Sequence, residues 1–131
     1  MRGVEFSKAI GNYLASKITR AYKSKAPQDA AFPYAVFYLP NSINTDPSED
    51  FYLDVDVWDD DQDTTVLENL VDIIDGNGDP LNPTGLHHKT IRADNITATF
   101  YRESRSEIED EDPRLSRRQL QYSVRVYHEG V

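Results

Sequence analysis

A chain of 131 residues fits one domain and can bury about two thirds of its unfolded surface, enough for an independent core. It has no cysteine, which excludes disulfides, thiolate nucleophiles and cysteine-bound zinc. A net charge of −9 and a pI of about 4.7 exclude an outer clamp on nucleic acid, which needs basic groups to neutralise phosphates; an acidic lining past which DNA slides without sticking stays compatible.

The spacing predicts an amphipathic helix from about Val4 to Lys23. Phe6, Ile10, Tyr13, Leu14, Ile18, Ala21 and Tyr22 recur every three or four residues, lysines near the end suit the helix dipole, and Pro27 stops the run. Phe32–Leu39 reads as a short strand with both faces apolar, closed by Pro40. Asn41 to Asp50 is polar and aperiodic, so a loop is expected. The clearest element follows, from about Asp50 to Trp58. Phe51, Leu53, Val55 and Val57 alternate with Tyr52, Asp54, Asp56 and Trp58, the pattern of a strand with one face on a core. Its other face mixes carboxylates with amphipathic aromatics, which suits a surface that meets another surface.

A second helix is expected from Asp63 or Thr65, with Thr65 and Glu68 at capping-box spacing and Leu67, Leu70, Val71 and Ile74 as its stripe. Gly76 and Gly78 stop it, and a Pro/Gly loop runs to Leu86. Leu86–Thr90 is left open between helix and irregular chain. Ile96–Tyr101 and Leu120–Tyr127 alternate as the two strands of a hairpin. Between them, Glu103–Arg118 is far longer than the usual 2–5 residues of a hairpin loop. Its charge is sorted by sign: Glu107, Glu109, Asp110, Glu111 and Asp112, then Arg114, Arg117 and Arg118. Composition leaves two readings open, a disordered polar loop or an arm that orders against a neighbour, acidic half onto basic groups. The expected architecture is a single α+β domain over residues 1–131. It has a mostly antiparallel four-stranded sheet, helices on one face, the order α-β-β-α-β-β and a long charged hairpin insert.

Chemistry-bearing signals are sparse. Asp54, Asp56, Asp59, Asp60, Asp61 and Asp63 form an acidic cluster, but a two-metal nuclease also needs a water-activating group and a grip on phosphate, and no Lys or Arg lies within the segment. The cluster reads as a solvated strand end and helix N-terminus. Asp75–Asp79 fails as an EF-hand loop, because Pro80 and Leu86 stand where glycine and glutamate are required. His87 and His88 are adjacent and His128 is isolated, so no catalytic dyad is expected. No nucleophile elbow, phosphate loop or dinucleotide fingerprint is present. The expectation is therefore no enzyme, no cofactor and no metal. No apolar run reaches the roughly 20 residues of a membrane span. Met1–Phe6 lacks a signal-peptide core, so a soluble intracellular protein is expected.

Taken in order, Phe32-Pro-Tyr-Ala-Val-Phe37 after an N-terminal helix, Phe51–Asp59, the helix from Thr65 to Asp75 and Arg117-Arg-Gln-Leu-Gln-Tyr-Ser-Val-Arg-Val-Tyr127 resemble the tail terminator, or tail completion, proteins of long-tailed bacteriophages and prophages. The resemblance covers most of the chain. It implies a structural virion protein that forms a ring, usually a hexamer, at the head-proximal end of the tail tube. Such a ring ends tube polymerisation and joins tail to head. The implied partners are other copies, the tail tube protein, head–tail connector proteins, and DNA passing through the lumen without specific binding. The implied location is the virion tail, and the host cytoplasm during assembly. Tyr52, Trp58 and the charged residues 107–118 are the expected interface. Two other readings stand beside it: another connector or stopper ring component, and an acidic DNA-mimic inhibitor, against which the 14 Lys and Arg residues argue.

Overall fold

Among the residues that the computed structural model describes (2–40, 42–44, 48–93 and 95–128), helix α1 (Arg2–Lys17) lays Phe6, Ile10 and Leu14 into the core. It ends six residues before the expected point. Ile18 N–H still bonds Leu14 C=O at 2.9 Å, but the Arg20 guanidinium then donates to the carbonyls of Phe32 and Pro33, both at 3.1 Å. That clasp straightens the chain into strand β1 (Ala21–Lys23), parallel to β2 (Tyr34–Tyr38). The helical spacing of Ala21 and Tyr22 is coincidental.

Strand β3 (Ser42–Asn44) lies within the expected loop, whose residues 41 and 45–47 are outside the described set. Strand β4 (Ser48–Asp59) pairs first with β3 and then with β2 along one side. Helix α2 (Thr65–Asp75), β5 (Thr90–Ala93), β6 (Ile96–Ile108) and β7 (Ser116–His128) complete the chain. The α+β class stands, but the four-stranded sheet in the order α-β-β-α-β-β does not. The elements run α-β-β-β-β-α-β-β-β. Six strands lie in the order β1-β2-β4-β7-β6-β5, with β3 attached to β4, and the β1–β2 pair makes the sheet mixed. Three strands of three or four residues escape sequence reading because they are too short to show a period.

The charged insert is corrected too. Glu103–Ile108 continue β6 and Ser116–Arg118 begin β7, leaving residues 109–115 as the turn. β7 is flanked along this stretch by both β6 and β4, with Arg117 opposite Ile108 on one side and Trp58 on the other. Among the described residues nothing projects beyond the sheet as a free hairpin, and removing residues 106–114 would cut three residues from the end of β6 and most of its turn to β7.

The helices share one face of the sheet, called inner here. Phe51, Leu53, Val55 and Val57 of β4, Ile96, Ala98 and Phe100 of β6, and Leu120, Tyr122, Val124 and Val126 of β7 join Phe6, Ile10, Leu14, Leu67, Val71 and Ile74 in a single cluster, with Leu70 at its margin. The Phe6 ring sits 4.9 Å from Phe51 and 6.1 Å from Phe100. Each buried Val, Leu, Ile or Phe among them contributes about 1.5–3 kcal/mol by leaving water.

The start of α2 differs from the expected capping box. Asp63 accepts both the Thr65 N–H (3.0 Å) and the Thr65 hydroxyl (2.6 Å), while Glu68 turns away to arginines of the sheet. The stop at Gly76 holds, with φ 91° and its N–H on Asp72 C=O. Gly85 packs so closely that a Cβ on Gly76 would stand 2.2 Å from its nitrogen, which ties the following loop to the helix end.

Candidate functional site

Strand alternation sends Tyr52, Asp54, Asp56 and Trp58 to the outer face, which no helix covers among the described residues. The register brings Tyr34, Trp58, Arg117 and Ile108 into one row across β2, β4, β7 and β6. The indole of Trp58 stacks on Tyr34 at 5.4 Å and 30°, and Tyr34 meets Phe32 at 5.1 Å and Tyr22 at 6.1 Å. Arg117 lies over the indole at 4.9 Å, a cation–π geometry, while Trp58 Nε1–H donates to Asp110 Oδ1 at 3.2 Å. Burial, then Asp110, then Tyr22 raise the Tyr34 phenol above its ordinary pKa.

One row further in, Asp56 is only 2% exposed and accepts from Arg117 Nη2 at 2.7 Å. Its Oδ1 and the Arg117 Nε are buried without partners, so the pair is joined by one prong of a possible two. Asp54 accepts from Gln121 at 3.3 Å; burial raises its pKa, while hydrogen bonds from Gln121 and Tyr38 lower it. A third zone is wetter. Tyr52, Ser123 and Tyr101 form a row, with Tyr127 four residues beyond Ser123 on β7. These three tyrosines are among the exposed large side chains, at 37%, 44% and 43%.

Below the Ile96–Phe100 stretch, β6 carries a bulge between Arg102 and Ser104. The extra residue reverses the parity of the strand. Without it, Arg105 and Glu107 would face outward. With it, Arg105 reaches Asp72 (2.6 Å) and Glu68 (3.1 Å) of α2, and Arg118 beside it also bonds Glu68. Arg102, just before the bulge, reaches buried Asp75 at 3.1 Å, and Asp75 also accepts the Tyr122 hydroxyl at 2.7 Å. Burial and then the Asp75 charge push the Tyr122 phenol far up. His87 Nδ1 accepts the Arg102 N–H at 2.9 Å and stacks on His88 at 3.9 Å. Burial and then neighbouring His88 lower its pKa.

The expected interface residues thus have unlike surroundings. Arg117 and Arg118 are held within the subunit by Asp56 and Glu68, and Arg114 by Asp112, whose carboxyl is lowered to about 2 chiefly by hydrogen bonds from Arg114. Asp110 holds Trp58. Glu107, with its side chain 78% exposed, approaches Arg118 only to 3.8 Å, and Glu109 and Glu111 are exposed. These carboxylates, with Ile108, Pro113 and Leu115, line an open cleft of about 700 Å³ beside the turn. Tyr34, Tyr38 and Asp56 belong to the outer-face site but were not singled out as interface. The period-two pattern placed Asp56 on that face; its arginine, 61 positions away, carried no local signal. Among the described residues no three His, Asp or Glu side chains gather as a metal group, and no helix is long and apolar enough to cross a membrane. Comparison with protein-family models and with curated proteins gives no match for this chain.

Proposed function

We propose that this protein is a structural subunit that assembles with copies of itself into a ring. In that ring it acts as a tail terminator at the head-proximal end of a phage tail tube, ending tube growth and presenting the surface that joins the head. The observation that carries the reading is the sheet's outer face, which no helix covers among the described residues: Tyr52, Tyr101 and Tyr127 stand exposed toward one end of the strands, and the ordered Tyr34–Trp58–Arg117 stack lies toward the other. Tyrosine and tryptophan give large contact area at low entropic loss, and such side chains are favoured at the centres of protein interfaces. The order of sequence motifs supports the choice of family. The net charge of −9 suits a lumen that DNA crosses without binding, and the work of the molecule is contact, not catalysis. Electron microscopy of tails assembled with and without the protein tests this. Tubes of uniform length capped by a ring are expected with it, and tubes of uncontrolled length without it. Unchanged tubes, together with competition against DNA for a nucleic-acid-binding partner, would replace the reading by that of an acidic mimic.

A further inference from the structure

The two adjacent histidines lie where a short segment joins α2 to the edge of β6. Leu86 N–H donates to Ile74 C=O at 2.8 Å and His87 N–H to Asp75 C=O at 3.1 Å, which seats residues 86 and 87 on the helix end. His88 N–H then donates to Phe100 C=O at 2.7 Å, and Lys89 C=O accepts Phe100 N–H at 2.9 Å. Where the pairing of β5 with Ile96–Thr99 stops, these residues cover the next stretch of the β6 edge. Alternation turns the Arg102 N–H to the same side, and there the acceptor is not a carbonyl but the His87 ring, through Nδ1 at 2.9 Å. From Glu103 to Ile108, β6 has no strand beside it other than β7 among the described residues.

A neutral imidazole that accepts on Nδ1 carries its hydrogen on Nε2, so a second proton can go only to Nδ1. Protonation therefore removes the acceptor and sets two N–H donors against each other. The surroundings do not repay that loss. Arg102 brings a guanidinium, and His88 stacks on the ring at 3.9 Å. Gly78, whose Cβ position lies 4.0 Å from the ring's Cδ2, offers no charge. Lys89 turns its ammonium to Tyr13 of α1, and the Tyr101 ring lies edge-on to His88. The negative charge that faces the ring is Asp75, whose carboxylate is taken by Arg102 and the Tyr122 hydroxyl. Burial first, then His88, hold the His87 pKa below its ordinary 6.5, with Asp75 opposing and Arg102 adding. His88, at φ 70°, occupies the left-handed region that a residue with a Cβ enters at a cost, so the turn keeps its shape only while its bonds hold.

We infer that His87 is a proton-operated latch on this edge: neutral, its ring holds residues 87–89 against β6, and protonated, it lets them lift and leaves the edge open from Phe100 to Ile108. The folded ring has the lower pKa, so the closed segment is fully stabilised above the ordinary value and loses that stabilisation as pH falls from there to the lowered one. The bonds to Ile74 and Asp75 use main-chain groups that do not titrate, so the helix end stays in place and the opening is local. An unpaired edge is a template for a further strand, so mild acid exposes one on this subunit whether or not it stands in a ring.

Amide hydrogen exchange of the full chain, followed by NMR from about pH 7.5 to about pH 5, tests the latch. At the upper end the His87 ring carries its proton on Nε2. Between the ordinary and the lowered pKa, the protection factors of Phe100 and Arg102 fall by up to about tenfold per pH unit, the limit for uptake of one proton, while Val55 and Val124 in the core keep theirs. His87→Asn sets an amide oxygen in the place of Nδ1, and both factors stay high and flat across the range. His87→Ala leaves Arg102 unprotected throughout, with circular dichroism unchanged. Should either variant fail to fold, the wild-type profile decides alone. A proton on Nδ1 at the upper end, flat protection in the wild type, a fall that His87→Asn shares, protection that survives His87→Ala, or a simultaneous loss at Val55 and Val124 would each overturn the latch.

Discussion

The two faces of this sheet use the same alternating strands for different ends. The inner face buries aliphatic and aromatic side chains under α1 and α2, and its stability comes from area removed from water. Among the described residues the outer face has no such layer, yet Val36, Asp54 and Asp56 are 5%, 9% and 2% exposed there. Specific neighbours surround them: a guanidinium on an indole, an indole on a phenol, a carboxylate against an arginine. A face held by area tolerates changes of shape but not of polarity. One held by partners tolerates polarity but not the loss of a partner.

The largest effect is expected on the inner face. Val55 is fully buried, and Val55→Asp places an unpaired carboxylate in the core at a cost of several kcal/mol, on the order of the whole stability of a small domain. Urea unfolding and circular dichroism should find no cooperative native state; a melt near that of the wild type would mean that the two faces are assigned backwards.

Next comes the outer-face pair. Asp56→Ala strands the Arg117 charge and should lower stability by about 3 kcal/mol, whereas Asp56→Leu with Arg117→Met should recover most of it, because apolar replacement of both partners avoids desolvation. If the double variant is as unstable as the single, the outer face depends on the charges themselves rather than on their mutual satisfaction.

A smaller effect separates folding from assembly. Changing Tyr52, Tyr101 and Tyr127 to alanine should shift the monomer's unfolding free energy by no more than about 1 kcal/mol per site, as for surface positions, while tail capping is lost. Capping at normal tube length by the triple variant would remove these tyrosines from the contact.

The subtlest test is electrostatic. Burial raises the folded pKa of Asp54 above its ordinary value of 3.8, so the ionised carboxylate is disfavoured in the folded state and stability is withheld as pH climbs through that raised value. Asp54→Asn should therefore melt slightly higher than the wild type at pH 7, with the advantage fading below about pH 4, where both states carry a neutral group. An advantage independent of pH would point to packing instead of charge.

Both faces of β4 were legible because eight residues in a row, Phe51 to Trp58, give a period-two signal that no turn or helix imitates. The buried stripes of α1 and α2 were legible for the same reason, at a period near 3.6. The ends were not. Ala21 and Tyr22 keep helical spacing but lie in a strand, because the Arg20 clasp on Phe32 and Pro33 outranks local propensity. The polarity of residues 103–118 reads as loop, but those of them in the sheet are held by ladder bonds to β7 and β4 and by ion pairs to α2.

What the sequence determined by itself was the set of residues that must leave water, since periodicity is a local property of the chain. Which strands lie side by side, that β1 runs parallel to β2, and that Arg117 meets Asp56 were decided only in three dimensions. The bulge shows why. One extra residue between Arg102 and Ser104 turns Arg105 and Glu107 to the opposite face, and its place is set by the register against β7, formed with residues far along the chain.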